Sequence, residues 1–168
     1  QQPPQSGQPA PTPPPAAGPT AAPTAAAPPP AAPSPRPPSG GGGAGSCSSR
    51  AEPVTDYRQR TWQTRYYCST YVGSPVYANV AAGSGGALDD SGYMEKASRV
   101  WVICQLNGRG NPTIQGNTNT WWLYTQGDSS RSNSYGYTKA WGYLPATAVA
   151  QGGQDEPIPG VPECPGYL

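Results

Sequence analysis

Residues 135–149 read YGYTKAWGYLPATAV, and about twenty residues before Trp141, residues 118–126 read TNTWWLYTQ. Both stretches are rich in aromatic and β-branched residues, which fit a pleated, half-buried surface. The later one is stopped by Pro145, which lacks the N–H a further ladder bond would need, so that Ala146 and Thr147 can make only one tight turn before Val149. A tryptophan doublet followed by an aromatic, proline-turned closing segment predicts a small β-barrel that binds something. It does not predict an enzyme.

Working outward, residues 99–106 (RVWVICQL) give the plainest alternation. Val100, Val102 and Cys104 are expected on one face, and Trp101, Ile103 and Gln105 on the other. Residues 66–72 (YYCSTYV) and 75–79 read as further strands separated by a Gly-Ser turn. Residues 107–117 and 126–134 read as polar loops, and the Gly/Ser-rich segment 83–96 (GSGGALDDSGYMEK) as a mobile surface loop. Five or six short antiparallel strands at fairly regular spacing predict an all-β domain, a small closed barrel with almost no helix.

Composition divides the chain. Residues 1–46 contain no aromatic residue, a single charge (Arg36) and 16 of the 24 prolines. Such a stretch cannot bury enough apolar surface to offset the entropy of ordering it. It is expected to be a disordered Pro/Ala/Gly-rich tether, in polyproline II form reaching on the order of 120 Å. All aromatic residues and all four cysteines fall in residues 47–168, read as one domain. A chain opening Gln-Gln-Pro-Pro is expected to be a processed form or a segment of a longer polypeptide. Nine basic and nine acidic residues balance within the domain, which argues against nucleic acid as a partner. Arg58, Arg60 and Arg65 are read as a solvated face, with a residual patch for an anionic polymer as the other reading. No run of eighteen apolar residues exists to insert in a membrane.

Four cysteines in a small Tyr-rich domain, with no CxxC spacing and no histidine, fit two disulfides in an oxidising, extracellular compartment. Three pairings are possible. Cys104–Cys164 with Cys47–Cys68 is favoured, because it fastens the C-terminal strap (EPIPGVPEC) to a strand and the tether to the domain. Each link would contribute roughly 3–4 kcal/mol through the unfolded chain.

The ordered set VWVICQ, TNTWWLYTQGD, WGYLPATAV and EPIPGVPEC resembles the bacterial Src-homology-3-like domains of secreted or cell-surface proteins from GC-rich Gram-positive bacteria. The resemblance covers residues 66–164. It implies an SH3-like barrel whose first doublet tryptophan, Trp121, and closing-segment proline, Pro145, line a ligand groove. The eukaryotic pattern has Asn-Tyr before the final Val, where this chain has Thr147 and Ala148, so one aromatic wall is missing. In the bacterial relatives the implied ligand is peptidoglycan, particularly its peptide stems or cross-bridges.

The rings themselves point the same way. Eleven Tyr and five Trp with no Phe mean that every ring has a polar tip. Tyr77, Trp121, Tyr124 and Trp141 are the candidate exposed binding face, with Pro145. Core is the competing assignment for Trp101 and Trp122. The absence of histidine excludes Ser-His and Cys-His nucleophile systems. Asp89, Asp90 and Glu95 could supply a carboxylate pair but read as loop solvation. No metal or cofactor is implied.

The expected function is therefore a non-catalytic, monomeric, extracellular targeting module for a cell-wall polymer. The alternative is a protein-interaction or sensor ectodomain with a surface protein or peptide as partner. A third reading has the tether's own residues 33–38 (PSPRPP) docking on the barrel.

Overall fold

The structure, a computed structural model, describes residues 45–168; the expected tether, with its PSPRPP segment, lies outside the described residues apart from positions 45 and 46. Among the described residues there is no α-helix. Eleven short strands run β1 (Ser48–Arg50), β2 (Val54–Thr55), β3 (Thr61–Trp62), β4 (Arg65–Cys68), β5 (Ser74–Tyr77), β6 (Asp90–Met94), β7 (Val100–Val102), β8 (Cys104–Asn107), β9 (Trp121–Gln126), β10 (Ser129–Ser130) and β11 (Trp141–Pro145). A single 3₁₀ turn, Ala146–Ala148, follows Pro145 where the sequence calls for one. The strands form a six-stranded sheet in the order β10-β6-β5-β11-β9-β8, a three-stranded sheet β1-β4-β7 and a β2-β3 hairpin.

The six-stranded sheet has two unlike faces, set by strand register. Across β9 and β11, Leu123 lies opposite Leu144, while Tyr124 lies opposite Tyr143 and Trp122 opposite Pro145. Because side chains alternate, the leucines share one face and the rings the other. The leucine face joins Val76, Met94, Val100, Val102, Val149 and the Cys47 and Cys68 side chains in an aliphatic core. The ring face builds a second core from Trp122, Tyr124, Tyr137, Trp141 and Tyr143, with Val54, Tyr57 and Trp62 of the N-terminal segment packed on it.

The expectation of an all-β domain is met, but the closed barrel of five or six strands is not formed. β10 and β8 remain separate edges of an open sheet. The reason lies in residues 99–106, expected to be one strand. β7 pairs with β4, whereas β8 pairs with β9, so the chain changes sheets at Ile103. The expected alternation holds for Val100, Trp101 and Val102 and is reset there, leaving Ile103, Cys104 and Gln105 all buried. The segment expected to be a mobile loop contains β6, which pairs with β5 on one side and β10 on the other. Its low hydropathy conceals a tightly packed strand. A side chain at Gly92 would come within 2.8 Å of the Ala140 Cβ and 2.7 Å of the Ser129 carbonyl, so only glycine permits the approach.

Both disulfides, Cys47–Cys68 and Cys104–Cys164, are formed in the favoured pairing. The strap is held by more than its cystine. The buried Gln105 side chain donates to the carbonyls of Ile158 (3.0 Å) and Val161 (2.7 Å), and its Oε1 accepts the Ile158 N–H at 2.7 Å. Its backbone N–H donates to Pro162 O at 2.8 Å, and its carbonyl accepts the Cys164 N–H at 2.7 Å.

Candidate binding surface

The five residues singled out from sequence do not make one surface. Tyr124 (0% exposed), Trp141 (1%) and Pro145 are buried. The expectation that Tyr124 and Trp141 project outward fails because the face they occupy is covered. Trp62 of the hairpin meets Tyr124 with ring centroids 6.2 Å apart, and Trp101 lies edge-on against Trp141 at 5.6 Å. Tyr77 and Trp121 are half-buried, but on different cores: Tyr77 abuts Trp122, whereas Trp121 packs on the aliphatic cluster. The polar tips of the covered rings end on the protein itself. Trp122 Nε1 donates to Arg109 O at 2.7 Å, and the Tyr137 hydroxyl donates to Leu168 O. Burial pushes the Tyr124, Tyr137 and Tyr143 phenols far above their ordinary 10.0.

The hairpin that covers this face is fastened by a buried carboxylate. Asp56 Oδ1 accepts the backbone N–H groups of Arg58 (2.9 Å) and Arg60 (3.0 Å). Oδ2 accepts Arg60 Nε (2.8 Å), Trp62 Nε1 (3.1 Å) and the Tyr124 hydroxyl (3.2 Å). Burial favours protonation of this group, yet the donors of Arg60 and Trp62 and the guanidinium charge outweigh it. The Asp56 pKa is held below its usual 3.8. Arg60, read as part of a solvated cluster, therefore belongs to the covering of the ring face.

What cross-strand register does bring together lies on the outer face of β1-β4-β7. Ser48 pairs with Tyr67, and Tyr67 pairs with Trp101. Arg50 pairs with Arg65. With the two-residue period of strands, Arg50, Arg65, Tyr67, Arg99 and Trp101 share one side, and Tyr66, Cys68, Val100 and Val102 turn toward the core. The guanidiniums lie diagonally over rings: Arg65 is 4.9 Å from the Trp101 centroid, while Arg99 and Arg50 are 4.0 and 5.8 Å from that of Tyr67. Each contact is worth about 0.5–1 kcal/mol at such a site. The one carboxylate here, Glu52, accepts the Tyr67 hydroxyl and faces Arg50 at 3.9 Å. Sequence alone could not find this face, because Arg99 and Arg50 reach Tyr67 only through strand pairing.

Two hollows open elsewhere. One of about 200 Å³ is lined by Trp62, Tyr66, Ile103, Cys104, Pro162 and Glu163 among others. A second, of about 410 Å³, carries the exposed Tyr135 beside Asp89 and Leu88. Of the carboxylates considered for acid-base work, two are engaged: Asp89 accepts the Ser134 N–H at 2.8 Å, and Asp90 pairs with Arg131. Among the described residues, no group of three His, Cys, Asp or Glu is placed to hold a metal, and no helix is long and apolar enough to cross a membrane.

Comparison with known proteins brings no family into view: no family model, no curated protein and no solved structure matches this chain.

Proposed function

We propose that residues 45–168 are a non-catalytic, extracellular binding module that recognises a cell-wall polymer, the peptide or glycan part of peptidoglycan, through half-exposed Trp and Tyr rings. The observation that carries this reading is the outer face of β1-β4-β7, where Tyr67 and Trp101 stand side by side with guanidiniums stacked on them. Rings on strands are rigid, so they offer contact area to a sugar or an extended peptide with little entropy to lose. The guanidiniums add hydrogen-bond donors for carboxylates, which peptide stems carry. Two disulfides suit an oxidising compartment. The order β8, β9, β11 and then a 3₁₀ turn after Pro145 also supports kinship with bacterial SH3-like domains, in an opened form.

Sedimentation with isolated cell walls tests the proposal, together with tryptophan fluorescence during titration with muropeptides. Binding to walls and a fluorescence change lost in a Tyr67→Ala/Trp101→Ala variant are expected. A protein that stays in the supernatant and whose emission ignores every muropeptide is not such a module.

A further inference from the structure

We propose that the outer face of β1-β4-β7 reads the carboxylates of an extended acidic peptide, with Arg50, Arg65 and Arg99 as the reading groups; this rests on the binding-module proposal and names the chemistry of its ligand. Charge is the first argument. Three guanidiniums share the face with one carboxylate, Glu52, which leaves an excess of positive charge on a domain that is balanced as a whole.

Donor capacity is the second. Each guanidinium carries five N–H groups, and stacking on a ring uses its flat side while leaving its edges free. Arg65 spends one terminal nitrogen on Pro53 O at 3.2 Å and its Nε is enclosed by the protein, which leaves its other terminal nitrogen for a ligand. Among the described residues, Arg99 meets only the Tyr67 ring. Glu52 shows which group fits: a carboxylate accepting from the Tyr67 hydroxyl beside the Arg50 guanidinium.

Spacing selects a peptide. In an extended chain, residues two apart point the same way and lie roughly 7 Å from each other. Arg50 and Arg99 lie 5.8 and 4.0 Å from the centroid of the same ring, so carboxylates at alternate positions can each meet a guanidinium. The half-buried Tyr67 ring, which both guanidiniums approach, receives the apolar stems of those side chains.

The test uses the full chain and three probes: a peptide of alternating Glu and Ser, its Gln counterpart, and inorganic polyphosphate of equal charge, followed by calorimetry. The Glu peptide should bind, with affinity falling as salt rises, and the Gln peptide should bind at least tenfold more weakly. Arg99→Gln should weaken the Glu peptide about tenfold with an unchanged thermal midpoint. Glu52→Gln should strengthen it, since the domain's own carboxylate no longer competes for Arg50. Equal binding of Glu and Gln peptides, tighter binding of polyphosphate, or indifference to both substitutions overturns the site. Wall sedimentation separates the two proposals. Peptide binding without wall binding sinks the wall reading alone, and wall binding without peptide binding sinks this site alone.

Discussion

Two populations of aromatic ring differ in how their polar tips and faces are satisfied. The rings on the six-stranded sheet are covered, and their hydroxyl and indole groups end on backbone carbonyls or on Asp56. Those on the outer face of β1-β4-β7 are half-buried and are capped by arginines, Trp101 also resting edge-on against Trp141. A chain without phenylalanine thus builds a core from tyrosine and tryptophan in which the Trp122 indole and the Tyr124 and Tyr137 hydroxyls each find a partner, which avoids the cost of an unsatisfied donor. On the outer face of β1-β4-β7 the partner is a guanidinium instead.

The largest test of this contrast is alkaline pH. Tyr124, Tyr137 and Tyr143 have pKa values raised by burial, so the folded state holds their protons where the unfolded chain releases them. Stability is full below pH 10 and falls as pH rises beyond it. Tyrosinate absorbance from these three phenols should therefore appear only together with loss of structure. Asp56 acts at the other extreme: its lowered pKa gives stability that is present above pH 3.8 and declines as pH falls through that range.

Truncation should separate the populations next. Trp141→Ala removes a fully buried ring and should cost about 3–5 kcal/mol in denaturant unfolding, whereas Tyr67→Ala should cost about 1 kcal/mol. Equal losses would erase the distinction. Gln105→Ala strands the Ile158 N–H and the carbonyls of Ile158 and Val161. It should cost about 2–3 kcal/mol, and hydrogen exchange should rise along the strap before it rises in β9. The smallest effect has the opposite sign. Lys139 and Ala140 take successive positive φ values of 54° and 61° in the turn closed by the Trp141 N–H and Thr138 O. Lys139→Gly relieves one of these and should stabilise the domain by about 1 kcal/mol.

Legibility in the sequence followed the same division. Strong local signals carried over: the strands around residues 66–68, 75–77, 121–125 and 141–144, the turn after Pro145, and the cystine pairing. β6 was hidden because Asp90, Ser91 and Gly92 have the composition of a loop, and only the close approach of Ala140 and Ser129 explains the glycine. The burial of Tyr124 and Trp141 was hidden because alternation fixes which residues share a face, not what covers it. Tyr124 is covered by a hairpin of two-residue strands, too short to leave a periodic signature, and Trp141 by Trp101 of β7. Arg58, Arg60 and Arg65 are neighbours in sequence, yet register sends Arg60 to Asp56 and aligns Arg65 with Arg50 and Arg99 instead.

The Cys47–Cys68 link also governs how the domain carries mechanical load. Tension applied at Gly45 reaches Cys47 and crosses the cystine to Cys68, bypassing the intervening chain. Arg50, Arg65, Tyr67 and the Asp56 hairpin sit inside that covalent shunt, and the force enters β4 at its last residue rather than pulling β1 away from it. Those residues are therefore not stretched by the pull, whereas Arg99 and Trp101, which follow Cys68, lie outside the shunt.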